Sequence, residues 1–243
     1  MKAIVIFFFC SWSLLAQEIN QVDANGHRHG LWKGYYKESK RLRYEGNFNH
    51  GVETGVFKYY DDTKASTIIA TRDFSVGNGM CYTVFFDQKK FKVSEGNLVN
   101  KMPEGTWKYY HYQSTNIMSI ENYKNGILDG EKIVYYKNGQ IAEKTFYKNG
   151  LRNGKYYRFG ENGNPIEESE YKNGELNGAI TYYDKEGKVL IKGTYKNDIK
   201  IGMWETYENG KLLKTESAEV FSGKSFTLDN PNELRYIEDK SKK

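Results

Sequence analysis

One phrase recurs along this chain at a fixed spacing: Tyr123-Lys-Asn-Gly126-x-x-x-Gly130, Tyr147-Lys-Asn-Gly150-x-x-x-Gly154 and Tyr171-Lys-Asn-Gly174-x-x-x-Gly178, each 24 residues after the last. Self-similarity at such a period marks a repeat architecture, in which each unit buries its apolar face against its neighbours. With the second glycine as an anchor, the pattern extends through Gly30, Gly55, Gly79, Gly105, Gly130, Gly154, Gly178 and Gly202. Five residues after the anchor, seven of the eight copies carry an aromatic ring, Val84 being the exception. Two residues after it stand Trp32, Phe57, Cys81, Trp107, Lys132, Tyr156, Ile180 and Trp204, apolar or aromatic in all but one copy. Eight copies thus occupy residues 30–216.

Each copy resolves into two strands, such as residues 106–110 and 141–147. Aromatic and β-branched runs of this length bounded by Asn-Gly are hairpin signals. Asn138-Gly139, Asn162-Gly163, Glu186-Gly187 and Asn209-Gly210 fall at the hairpin tips. A two-residue type I′ turn there needs positive φ at both positions. The Lys-Asn-Gly-x-x-x-Gly phrase supplies the turn from one hairpin to the next. Ten of the 24 glycines follow an asparagine, a density that suits an antiparallel meander. Residues 42–48 and 189–195 alternate apolar or small with polar, as a sheet with one buried and one wet face requires. Gly46, Gly96 and Gly193 lie on the apolar face, where a missing Cβ lets a neighbouring ring rest on the backbone. The fold class is therefore all-β: an elongated antiparallel β-meander of about eight 24-residue hairpin repeats. Sixteen strands exceed what a twisted open sheet holds without curling, so the ribbon is expected to roll or coil.

Composition agrees. A hydrophobic share of 38% with an aromatic share of 16%, including 21 Tyr, leaves too few aliphatics for a thick core. Packing must come from rings laid on a sheet, which excludes a doubly wound nucleotide-binding fold. The net charge of +5 is spread with both signs interspersed, so nucleic acid is not an expected partner. Membrane-surface contact has little to recommend it without a basic stripe or an amphipathic helix.

Residues 1–16 read as a signal peptide, with Lys2 ahead of a continuous apolar run over 3–9, too short to span a membrane. The mature chain would be exported, to the periplasm or the extracellular space. Removing the leader removes Cys10 and leaves Cys81 as a lone thiol, read as a small buried hydrophobe. Residues 17–29 form an N-terminal capping half-repeat. Residues 217–243 form a C-terminal cap and charged tail, in which Phe221, Phe226 and Leu228 cover the last hairpin. Asn230-Pro231-Asn232-Glu233 predicts a short capping helix over 231–240. The third copy is irregular, offering Phe74-Ser-Val-Gly77-Asn-Gly79 in place of the repeated phrase, and reads as drift.

The pattern Tyr-x-Asn-Gly-x-x-x-Gly-x-Trp-x-x-Tyr, seen in residues 123–135 and 98–110, resembles the MORN (membrane occupation and recognition nexus) repeat in its bacterial variant, antitoxin-like form. The resemblance covers residues 30–216 and implies an extended sheet of stacked hairpins serving as a binding scaffold. Protein contacts, in some relatives membrane-lipid contacts, and an antitoxin-like role beside a toxin are what that family suggests.

Residues of catalytic type are better explained otherwise. His27 and His29 sit in the loop leading into the first repeat without Cys partners, so no metal is expected. His50 and His111 have no nucleophile elbow beside them. Asp61-Asp62 and Glu167-Glu168 occupy turns or the wet face, and the glycines do not form a phosphate cradle, so no cofactor is implied. The chain reads as a non-catalytic scaffold for a protein partner. A glycan- or cell-wall-binding module is the second reading, because Tyr59-Tyr60, Tyr109-Tyr110 and Tyr182-Tyr183 each place one ring on each face of a strand. Candidate contacts are Tyr59, Tyr109, Tyr110, Tyr136, Tyr182 and Tyr183; the anchors Gly30, Gly55, Gly105, Gly130, Gly154, Gly178 and Gly202 are structural.

Overall fold

Asn125 and Gly126 both take positive φ, 51° and 80°, and Lys124 pairs directly with Ile127 across them. That is the two-residue type I′ turn, whose twist matches that of the strands it joins. The same geometry recurs at Asn149-Gly150, Asn173-Gly174 and Asn197-Asp198. In the computed structural model, which describes residues 18–77, 79–219, 226–230 and 233–236, these turns connect a single sheet. It runs from β1 (Gln21–Val22), β2 (Arg28–Tyr35) and β3 (Leu42–Asn49) to β16 (Ile199–Glu208) and β17 (Lys211–Ser217). Each strand pairs antiparallel with its neighbours in sequence, so the seventeen strands make one continuous meander. Substantial contacts likewise run only between consecutive strands. No helix of the described residues is long and apolar enough to cross a membrane.

The tips depart from expectation. Asn209-Gly210 takes the type I′ form, with φ of 49° and 77°, but at Asn138-Gly139, Asn162-Gly163 and Glu186-Gly187 only the glycine is at positive φ. A side-chain oxygen accounts for the difference. Asn138 Oδ1 accepts from the backbone N–H of Gln140 (2.9 Å), and Asp184 Oδ1 accepts from those of Glu186 (3.0 Å) and Lys188 (2.8 Å). The loop is thus closed from inside by an Asx-type bond, and a wider tip replaces the tight one.

The anchor glycines are not turn residues either. Gly55, Gly105, Gly130, Gly154, Gly178 and Gly202 lie inside strands at positive φ, where the pairing skips. Residues 129–131 face Asn122 alone, because Leu128 pairs with Tyr123 and Lys132 with Glu121. Such a bulge favours a residue at positive φ and adds local twist.

The irregular third copy shows the same rule in reverse. β5 (Ile68–Asp73) and β6 (Met80–Phe86) pair without any skip, and Thr83 stands opposite both Arg72 and Gly96. Cys81 therefore holds the anchor slot, two residues later than Gly79. With no bulge to make, a non-glycine residue fits there. The ring five places on is then Phe86 rather than Val84, and the fifth slot is aromatic in every copy.

One row across the buried face holds the sheet together. Phe57 lies over Gly46, Trp107 over Gly96 and Trp204 over Gly193; a methyl group on any of these glycines would sit well inside contact distance of the ring. Phe57 and Trp204 are 1% exposed, and Trp204 packs with Ile180, Ile191 and Ala218. Where the row lacks glycine, the ring shrinks or the chemistry changes. Thr145 faces Tyr156, Ser169 faces Ile180, and Glu121 faces Lys132 with an ion pair of 3.0 Å. Cys81 is buried in the same layer beside Leu98 and Trp107.

At the far end the expected helix is absent where the structure describes it: β18 (Phe226–Asn230) and β19 (Glu233–Tyr236) form an antiparallel hairpin. Pro-Asn after Asn230 suits a tight turn as well as a helix start, since proline presets φ for the first central turn position. The expected leader over residues 1–16, Phe221 and the remainder of 231–240 lie outside the described residues.

Candidate interaction surface

The paired tyrosines divide between the faces. Tyr59, Tyr109 and Tyr182 turn into the packed layer. Tyr59 stacks beside Phe57 with the Arg72 guanidinium 5.1 Å from its ring centre. Tyr109 tilts beside Trp107 and meets Tyr123 hydroxyl to hydroxyl at 3.2 Å. Tyr182 packs against the Trp204 cluster, and burial pushes its hydroxyl pKa up.

Their outward partners are tied to carboxylates. Tyr60 donates to Glu45 Oε1 at 2.6 Å, Tyr110 donates to Glu95, and burial, then Glu168 by charge and by hydrogen bond, raise the pKa of Tyr183. Burial, then the Glu45 hydrogen bond, push the Tyr60 hydroxyl up to about 12. The Tyr60 hydroxyl in turn is the largest influence holding Glu45 below its usual range. These outward rings are half-buried rather than free. The tyrosines that stand out are Tyr112, 82% exposed at a tip, and Tyr35 and Tyr82.

Tyr136 does something different. Its hydroxyl donates to the carbonyl of Phe159 at 2.7 Å, joining one hairpin tip to the next. Tyr36 donates in the same way to Tyr60 O (2.6 Å), and His111 Nε2 lies 3.0 Å from Tyr135 O. All three occupy the sixth slot after the anchor, a pattern that sequence reading missed although its spacing was there to see. The opposite rim is joined too: Asn125 N donates to Glu104 Oε2 (2.7 Å) and Asn149 N to Asp129 Oδ2 (3.1 Å).

Three of the four histidines flagged in sequence, His27, His29 and His50, gather near Asp23. His50 Nδ1 lies 2.6 Å and His27 Nδ1 3.7 Å from Asp23 Oδ2, while the His29 and His50 rings are 4.8 Å apart. The His50 hydrogen bond is the main cause that draws the Asp23 pKa down to about 2. Among the described residues no group of three or more His, Cys, Asp or Glu is placed to hold a metal ion. Asp61 is buried in a tip loop, whereas Glu167 is partly buried in the packed layer beside Arg158 (3.4 Å), with burial raising its pKa.

These features define a β-hairpin repeat protein, stitched along both rims and offering its tips and outer face. Three consecutive copies match the MORN repeat variant family, over residues 128–149, 152–173 and 176–197. Those three copies are MORN-type repeats. No curated protein matches it. A chain in the crystal structure of TcdB2-TccC3-Cdc42 is similar at 11% identity, over 81% of this chain and 12% of that one, with a TM-score of 0.19. At that score the likeness carries no argument.

Proposed function

We propose that the chain is an exported, non-catalytic scaffold of eight repeats that binds a protein partner at or near the cell envelope. The observation that carries this reading is the contrast between rigid strands and variable tips. The glycine–ring row and the bonded rims fix the sheet, while the loops it presents differ from copy to copy, as in exposed Tyr112 and the longer 61–67 loop. MORN repeats generally serve as interaction modules, which supports the same reading. Exposed rings beside polar groups suit protein contact, because a tyrosine anchors by area and orients by its hydroxyl. Cross-linking in the native host, followed by identification of what is captured from the envelope fraction, tests it; capture of nothing above background defeats it. N-terminal sequencing of the mature protein tests export, and a start at Met1 removes that part.

One observation favours a second reading, a glycan-binding face. The fifth-slot rings form a row on the outward face, with Tyr60, Tyr110 and Tyr183 each beside a glutamate. Retention on insoluble peptidoglycan that falls in Tyr110→Ala and Tyr183→Ala supports this reading, and no retention at low salt removes it.

A further inference from the structure

We propose that the cavity between the second and third hairpin tips receives a tyrosine side chain of the protein partner, which takes the place of a ring this copy lacks. The inference rests on the scaffold reading above and specifies where that scaffold grips. In three copies the sixth slot carries a ring, Tyr36, His111 or Tyr136, that hydrogen-bonds to the fifth-slot carbonyl of the next tip. In the second copy that slot is Asp61, whose backbone N–H closes the loop onto Thr67 O (3.0 Å) as Tyr136 N–H closes onto Gln140 O (2.8 Å). The position is the same, and the ring is missing. Asp61 Oδ1 is engaged in its own loop, accepting from the backbone N–H of Thr67 at 3.0 Å and from the Thr63 hydroxyl at 2.8 Å.

Two further substitutions enlarge the gap. Neighbouring copies place a glutamate under the fifth-slot tyrosine, Glu45 under Tyr60 and Glu95 under Tyr110. Here Thr71 and Phe86 stand instead, and both line the cavity, together with Tyr60, Ile68 and Ala65. The cavity holds about 380 Å³, at the small end for ligand sites and suited to one ring rather than a larger ligand. Its walls are mostly apolar. The carbonyl matching Tyr60 O and Phe159 O is Phe86 O, which receives no side-chain donor among the described residues. Lys90, exposed at the rim, can meet a carboxylate beside the incoming ring. A smaller cavity of about 260 Å³ opens where the sixth slot is Gly160, so loss of the bridging ring coincides with a gap at two places. A phenol between Tyr60 and Phe86, donating to Phe86 O, restores what Tyr36 and Tyr136 do within the chain.

The probe is p-cresol, the tyrosine side chain itself, titrated into the full chain and followed by amide NMR. Saturable shifts at Thr67, Thr71 and Phe86 in the millimolar range are expected for so small a ligand. Toluene, which lacks the hydroxyl, should bind about 2–10-fold more weakly if the carbonyl bond is made. Ala65→Phe plugs the cavity from an exposed position, and Asp61→Tyr fills it with the chain's own ring; each should abolish the shifts, and Asp61→Tyr should also raise Tm. If Asp61→Tyr fails to fold because its loop bonds are lost, Ala65→Phe alone decides. Absence of saturable shifts at those amides, or wild-type binding of p-cresol by Ala65→Phe, overturns the proposal. A partner held equally well by Ala65→Phe overturns the pocket and leaves the scaffold reading intact. A wild-type chain that binds p-cresol but captures no protein overturns the scaffold reading instead.

Discussion

Gly193→Ala tests how the sheet is held. Gly193 is not at positive φ, so alanine suits its backbone, and the ordinary expectation for an unobstructed glycine in a strand is a gain of about 0.5–1 kcal/mol. The structure opposes it. A Cβ at residue 193 would lie 2.5 Å from Cε3 of Trp204, and that ring is 1% exposed, wedged among Ile180, Ile191 and Ala218, with Tyr195 edge-on at 5.3 Å. Ring or backbone must shift by about 1 Å to restore ordinary contact, the kind of overpacking that costs about 1–3 kcal/mol. If the ring leaves its place, the limit is the burial it forfeits. An aromatic side chain buries about 150–250 Å², worth about 4–6 kcal/mol at 25 cal/mol per Å². Gly193→Ala should therefore destabilise by about 2–4 kcal/mol.

The decisive measurement is a double-mutant cycle with Trp204→Ala. Repeat proteins open locally, so hydrogen exchange at the amides of residues 191–206 reads the effect better than a global midpoint. In the Trp204→Ala background nothing overlies residue 193, and Gly193→Ala should become neutral or stabilising, a coupling of about 2 kcal/mol or more. An equal cost in both backgrounds would show that glycine is needed for its backbone alone and would refute the ring-over-glycine account.

Other outcomes follow from the same geometry. Lys132→Ala strips the charge partner from buried Glu121, which keeps only the Ser119 and Tyr123 hydroxyls, and should cost about 1–3 kcal/mol by denaturant titration, whereas Glu121→Thr with Lys132→Tyr, copying the Thr145–Tyr156 pair, should recover most of that loss. Tyr60 keeps its proton more tightly in the folded chain, at about 12 against an ordinary 10, so its contribution is whole below pH 10 and is lost as pH rises from 10 to 12. Tyr60→Phe should reduce that alkaline loss in a pH series monitored by circular dichroism. Asp23 is shifted the other way, to about 2 from 3.8, so its contribution is present above pH 3.8 and fades towards 2; Asp23→Asn should flatten that acid limb. Deleting residues 154–177 rejoins Asn153 to Gly178 with the bulge register kept, and should leave a folded chain, while deleting half that span should not.

The hairpin order, the alternation of faces and the rings over Gly46, Gly96 and Gly193 were legible because each is fixed by a local rule, one residue type at one spacing. Other features were not. Asn-Gly serves two geometries, and only the side-chain bond from Asn138 to Gln140 selects the wider tip. Glycine spacing pointed to Gly79, but strand pairing puts Cys81 in the anchor slot, because where no bulge forms the glycine is no longer required. Pro231 is compatible with both a helix start and a turn, and only the pairing of β18 with β19 decides between them. The candidate tyrosines were found by composition, which cannot tell Tyr109, locked against Trp107 and Tyr123, from Tyr112 standing in solvent. The sixth-slot bridge went unread because it joins residues about 24 apart, across an intervening strand.

That bridge explains why a missing ring at a tip leaves the strands in place. A residue in the buried row is held by the strands on either side, so changing Trp107 or Gly96 disturbs both copies that share the contact. A sixth-slot ring makes one hydrogen bond across the rim, worth about 0.5–1.5 kcal/mol, and its loss leaves every strand pairing in place. Asp61 and Gly160 show that the loss is survivable, and the cavity at each is what remains. A repeat sheet thus acquires binding sites by omission, in the one layer where a missing side chain opens a space without unfastening the scaffold.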